Sequence, residues 1–232
     1  GEYMIRQFLW GQNYTQSRFN YRGDCFWLPD TFGYSAALPQ ILKGCGINYF
    51  ATSKLGWNDT NVFPYDTFYW EGIDRSRVFV NTLCGGATAD PKTLLQSANE
   101  GGIKEKTVSD SMLFVFGHGD GGGGPQFEEI ETVGRLQDVE GIPRTEYLSV
   151  SEFLKQKEAE CFRPTVYRGE LYLELHRGTL TNQHQIKRNN RLSEITLRNL
   201  EYFTVMDALE RDVPISAEKI HPLTGLLLQN QF

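Results

Sequence analysis

Residues 25–52 read CFWLPDTFGYSAALPQILKGCGINYFAT, and the order of their elements decides the fold class. Cys25 to Leu28 is a short apolar run of strand length. Leu38, Ile41, Leu42 and Cys45 then recur at helical spacing, with Pro39 tolerable only near the first turn and Gly44 or Gly46 ending the helix. Asn48 to Thr52 is the next apolar strand. A strand, a loop, a helix and a second strand make a β-α-β unit, so the class is α/β with a mostly parallel sheet or barrel.

The alternation continues outward. Thr67 to Trp70 and Arg77 to Thr82 are rich in aromatic and β-branched residues and are joined by Glu71-Gly72-Ile73-Asp74, which predicts a hairpin. Met112 to Phe116 is a continuous apolar run that discharges into the glycine-rich stretch Gly117 to Pro125, and a helix follows over 126–139. Glu146 to Ser149 and Val150 to Glu158 form a third unit, with Ser149 or Ser151 placed to cap the helix. Leu171 to Leu175 is one more expected strand. From Gln183 glycine is absent until Gly225, and Leu192, Ile195, Tyr202, Met206 and Leu209 recur at helical steps. A long helix begins there, so residues 1–182 are read as α/β and 183–232 as helical. The basic residues Lys187, Arg188, Arg191 and Arg198 are assigned to a solvated or interdomain face.

Composition excludes several functions. A chain of 232 residues with 40% hydrophobic and 13% aromatic content is globular. A formal charge of -6 provides no phosphate-binding surface, so nucleic acid is not an expected partner. No apolar stretch approaches the roughly 20 residues of a membrane span, and no export signal opens the chain. The four cysteines, Cys25, Cys45, Cys84 and Cys161, lack CxxC spacing and fit neither a disulfide framework nor a thiolate zinc site, so a reduced cytoplasm is expected. The sequons at Asn13 and Asn58 are short enough to arise by chance.

Two acids fall where a strand ends and a loop begins, Asp30 and Asp120. Ligands of α/β folds bind outside the carboxyl ends of the strands, and a glycosidase needs two carboxylates flanking the bond it cuts. Spacing alone leaves helix capping and turn formation as the commoner uses of such acids. The glycines around Asp120 do not form a phosphate loop, because no Gly-Lys-Ser/Thr follows and an acid in the middle repels phosphate. They suit a close backbone approach to a sugar. His118 beside them is of a type that can ligate a metal, but a single His two residues from an Asp is more often a supporting or surface group.

Phe26 to Gln40, FWLPDTFGYSAALPQ, resembles the nucleophile segment of family-38 glycoside hydrolases, in the branch of cytosolic, vacuolar and bacterial α-mannosidases. The resemblance continues through 54–58 (KLGWN), 67–74 (TFYWEGID), the glycine run at 117–125 and 170–179 (ELYLELHRGT), in family order. It implies part of a distorted parallel β/α barrel, over 1–182, followed by the start of a helical middle domain, over 183–232. It also implies a retaining α-mannosidase that hydrolyses terminal α-mannosyl residues of oligosaccharides, with Asp30 as nucleophile and zinc ligand and Asp120 as acid/base. Phe32 and Trp57 are the implied sugar-contacting aromatics, and one zinc ion is the implied cofactor.

The departures from the family pattern are as informative. Its His-x-Asp pair on an early strand and its later His-Asp motif, which complete the zinc site, are not matched here: His118, two residues before Asp120, belongs to the glycine run, and His176, His184 and His221 stand in no such motif. Residues 226–232 resemble those directly before the His-Asp. The chain is therefore expected to be a central fragment whose remaining zinc ligands lie outside it, and which hydrolyses nothing alone. A mannosylglycerate-type hydrolase of the same family and a non-catalytic carbohydrate-binding relative are the alternatives. A homo-oligomer is compatible with either.

Overall fold

The computed structural model describes residues 1–85, 88–100, 102–215 and 217–231. In chain order its helices and strands are α1 (Glu2–Phe19), β1 (Cys25–Trp27), α2 (Leu38–Gly44), β2 (Tyr49–Thr52), β3 (Thr67–Glu71), β4 (Arg77–Thr82), β5 (Cys84–Gly85), α3 (Pro91–Asn99), β6 (Phe114–Val115), α4 (Phe127–Arg135), α5 (Val150–Glu160), β7 (Thr165–Arg168), α6 (His184–Arg211) and α7 (Ile220–Gln229). They fall into two compact units, Arg22–Leu175 and Gly1–Tyr21 with His176–Phe232. Residue 232, the last of the stretch compared with the family's His-Asp segment, lies outside the described residues.

The first unit is mixed α/β, as the sequence predicts. Its main sheet has five strands in the order β1-β2-β4-β3-β7. β1, β2 and β4 run parallel, β3 is antiparallel to β4 as the hairpin requires, and β7 is parallel to β3. β1 and β7 are the edges, so these five strands form an open sheet and do not by themselves make the barrel of which the resemblance implies a part. A second sheet pairs β5 with β6.

Both faces of the main sheet are covered, which is why its central strands read as unbroken apolar runs. All of β2 is buried. Tyr49, Ala51, Phe79 and Leu83 pack with Phe153 and Leu154 of α5 on one face. On the other, Phe50 stacks on Phe26 (ring centroids 5.8 Å apart) and packs against Tyr34 (4.9 Å) and Trp70 (5.6 Å). Glu158 of α5 accepts the Tyr49 hydroxyl at 2.9 Å and the Tyr69 hydroxyl at 2.7 Å, tying the helix to β2 and β3. The start of α5 is a capping box: the Ser149 amide donates to the Glu152 carboxylate at 3.0 Å and the Glu152 amide to the Ser149 hydroxyl at 3.3 Å.

Three expected strands change. Of Met112 to Phe116 only Phe114 and Val115 pair, and they are half-buried. Residues 146–149 are irregular. Leu171 to Leu175 keeps the alternation of a strand, with Leu171 and Leu173 buried and Tyr172 exposed, but bridges only at Tyr34–Leu171. Its further backbone bonds go to a loop, where the Glu174 amide donates to Asn58 Oδ1 at 2.8 Å.

The second unit is helical. Tyr3 of α1, Leu197 of α6 and Leu228 of α7 form its core with Trp10 and Leu227. Arg6 makes two 2.6 Å bonds to the Glu201 carboxylate, and Trp10 stacks on His221 at 4.2 Å. The sequence reading placed the change of texture near residue 183; the backbone divides at Leu175/His176, and α1 packs with the helices at the other end of the chain. Among the described residues no helix is long and apolar enough to cross a membrane.

Candidate functional site

β1 and β2 are adjacent and parallel, with Trp27 opposite Ala51. Their carboxyl-terminal loops therefore leave the sheet side by side, and residues a few positions past each strand end are neighbours in space. The roots of the loops are tied together. The Leu28 amide donates to Ala51 at 3.0 Å, and the Ser53 hydroxyl donates to the Pro29 carbonyl at 2.5 Å. Tyr34, 4% exposed, closes the β1 loop: its hydroxyl donates to the Leu28 carbonyl at 3.2 Å and stands 2.5 Å from Thr52 Oγ1. Burial pushes the Tyr34 phenol above its ordinary value, with a further push from the Asp30 charge, so it stays a neutral donor. Gly33, at φ 107°, makes the turn between Asp30 and Tyr34 in a conformation that L side chains rarely adopt.

This scaffold brings Asp30 to Lys54. Lys54 Nζ lies 2.8 Å from Asp30 Oδ1, with the lysine side chain 9% exposed and the aspartate 58% exposed. The same ammonium is 3.6 Å from the centroid of the Trp57 ring and 5.9 Å from that of Phe32. Three of the residues singled out in the sequence, Asp30, Phe32 and Trp57, thus converge on a fourth that was not. Lys54 carried a legible signal: it stands two residues past a strand end, in the same short block as Trp57.

Trp57, 51% exposed, lines an open cleft of about 710 Å³. Its loop is clamped by Glu174, whose carboxylate accepts the amides of Thr60 at 3.2 Å and Asn61 at 2.6 Å. Leu83 and Gly85 line the same cleft, together with Gly117 and Gly119 from the glycine-rich loop after β6.

Asp120 lies in that loop, exposed, in a single 3₁₀ turn over Gly119–Gly121. The positive φ angles there belong to Gly117, Gly119 and Gly122, so the glycines take up the unusual conformation and Asp120 does not. The structure brings the loop of Asp120 to the Trp57 cleft but does not bring Asp120 into the cluster around Lys54. His118 hydrogen-bonds Gln126 at 2.8 Å.

The expected zinc finds no donor set in these residues. Among the described residues no three His, Cys, Asp or Glu side chains come together as a metal-holding group. Asp30 Oδ1 faces an ammonium, whose charge repels a divalent ion. By themselves these residues do not hold the ion, whose remaining ligands were expected outside the chain, and no step below runs through it.

Residues 1–172 match the family described as glycosyl hydrolases family 38 N-terminal domain. Human Alpha-mannosidase 2C1 is 42% identical over 237 residues, covering 100% of this chain and 22% of its own length. Alpha-mannosidase G of Dictyostelium discoideum is 44% identical over 207 residues, covering 88% of this chain and 19% of its own. The chain therefore spans about a fifth of the length of these relatives. A crystal structure of an alpha-mannosidase from Enterococcus faecalis superposes on 73% of the chain and 20% of its own with a TM-score of 0.58 at 16% identity, a likeness of fold.

Proposed function

Because this chain belongs to the family 38 glycosyl hydrolases, we propose that the full-length protein carrying it is a retaining α-mannosidase that removes terminal α-mannosyl residues from oligosaccharides. The observation that carries the reading is the placement of Asp30. It stands past the end of a parallel strand, held by Lys54 beside Trp57, an exposed aromatic that lines a cleft. The human and Dictyostelium discoideum relatives are alpha-mannosidases, which supports the substrate class.

In this reading the Asp30 carboxylate attacks the anomeric carbon through Oδ2, since Oδ1 is held by Lys54. The glycosidic C–O bond breaks as Asp120, protonated, gives its proton to the departing oxygen. Asp120, now a carboxylate, takes a proton from water, whose oxygen attacks the same carbon and frees Asp30. Two displacements leave the anomeric configuration unchanged. For this to operate Asp120 must stand within reach of the glycosidic oxygen on the side of the bond away from Asp30. Trp57 and Phe32 would pack against the apolar face of the sugar.

Zinc dependence belongs to the same proposal and would need ligands beyond the described residues; loss of activity on chelation of the full-length protein tests it. A reducing, cytoplasmic location belongs to the same proposal. The test of the two acids is hydrolysis of a chromogenic α-mannoside by the full-length protein and its Asp30→Ala and Asp120→Ala variants. Asp30→Ala is expected to lose about 10³-fold or more in kcat/KM, and Asp120→Ala about 10²-fold or more. Native-like activity in the Asp30 variant would remove the assignment.

A further inference from the structure

We propose that Lys54 is a positioning residue for the nucleophile, a buried charged strut that holds the Asp30 carboxylate and the Trp57 ring in fixed relation. The inference rests on the reading of Asp30 as nucleophile.

The asymmetry of the pair carries the argument. An ordinary surface ion pair has both partners in water, and each stays solvated whether or not they meet. Here the lysine side chain is 9% exposed while the aspartate is 58% exposed. An ammonium withdrawn from water is retained only where other groups replace its hydration. Asp30 Oδ1 at 2.8 Å and the face of Trp57 at 3.6 Å do so, with Phe32 further off at 5.9 Å. A lysine serving only to cover apolar surface would carry its head out to solvent. This one points its head at the carboxylate.

The strut is anchored at its base. Lys54 opens a 3₁₀ turn, Lys54–Gly56, and its amide donates to Thr52 Oγ1 at 3.3 Å, the hydroxyl that also meets Tyr34. Ser53 bonds Pro29 in the loop opposite. Both loop roots are thus fixed where Nζ reaches Asp30, so the ion pair selects one rotamer of an otherwise exposed carboxylate. Orientation of this kind acts on the reacting geometry more than on ground-state binding. The ammonium also stands over the Trp57 ring, so aromatic ring and nucleophile are spaced by a single side chain.

The experiment measures kcat and KM for a chromogenic α-mannoside in the full-length protein. Lys54→Met keeps the length of the stem and removes the charge; kcat is expected to fall about 100-fold with KM within about threefold of native, and Lys54→Arg to recover most of the loss. Lys54→Gln, which remains polar, serves if Lys54→Met does not fold, with the same deficit expected. The rate at which a fluorinated mannoside labels Asp30, read by mass spectrometry of the peptide, should fall with kcat. A native kcat in a folded neutral variant, alongside an inactive Asp30→Ala, overturns the strut and leaves the nucleophile standing. An active Asp30→Ala instead removes the nucleophile reading itself. Equal loss in Lys54→Arg and Lys54→Met would assign Lys54 to folding and also overturn the proposal.

Discussion

Tyr34 shows how far a residue outside the chemistry can govern it. Its buried hydroxyl links the loop of Asp30 to Thr52 at the end of β2, and its amide and carbonyl bridge to Leu171 at 2.8 and 3.0 Å. Tyr34→Phe removes the hydroxyl and leaves Thr52 Oγ1, itself buried, without its close partner. We expect a loss of about 1 to 2 kcal/mol in stability by denaturant titration, with kcat falling more than KM rises. Trp57 is expected to behave in the opposite sense. Trp57→Ala should raise KM about tenfold with a smaller effect on kcat, because stacking on a sugar is binding energy common to ground and transition states. Asp30 was legible in the sequence as an acid at a strand end, and resemblance to a family suggested its role. The lysine that meets it was not singled out, since nothing in a linear reading says which residue past β2 faces which residue past β1.

At the scale of elements, local chemistry decided boundaries wherever it was strong. Helix α3 begins at Pro91 behind an Asp90 cap whose Oδ1 accepts the amides of Lys92 and Thr93, each at 3.0 Å. The Thr93 hydroxyl and the Thr93 amide bond the Asp90 carboxyl and lower its pKa from 3.8 to about 2. The folded value lies below the unfolded one, so the stabilisation is complete above about pH 4 and lost as the pH falls through 2. Asp90→Asn should remove that part of the acid dependence of thermal unfolding while retaining the cap. The start of helix α5 was legible from the sequence, which offered Ser149 or Ser151 as its cap, and Ser149 takes that place. β6 was legible within the run from Met112 to Phe116, but β5 and its pairing with β6 were not, because that pairing rests on contact between distant segments: a Cβ on Gly85 would overlap the Val115 carbonyl, so only glycine allows the strands to approach. Leu171 to Leu175 carried the alternation of a strand, but its backbone partners proved to be Tyr34 and the loop at Asn58, not a neighbouring strand.

Across the whole molecule, the main sheet derives its stability from burial on both faces. Leu154 is fully buried where α5 meets Tyr49, Ala51 and Phe79, and Leu154→Ala should cost about 2 to 5 kcal/mol in unfolding free energy. If the proposed reaction is correct, proton NMR of the first-formed product of the full-length protein should show α-mannose, which then mutarotates; β-mannose appearing first would mean a single displacement. The sequence by itself determined the α/β class, the β1-α2-β2 unit, the β3–β4 hairpin, the helical C-terminal part and the position of Asp30. These follow from hydrophobic period, turn residues and caps, all of which act between residues close along the chain. Only the tertiary structure decided that the five strands form an open sheet, that α1 packs with α6 and α7, and that Asp30, Trp57 and Phe32 gather on Lys54 while Asp120 stands apart from that cluster. Those outcomes depend on which strand lies beside which, a choice made by burial between segments far apart in sequence and therefore invisible to any local pattern.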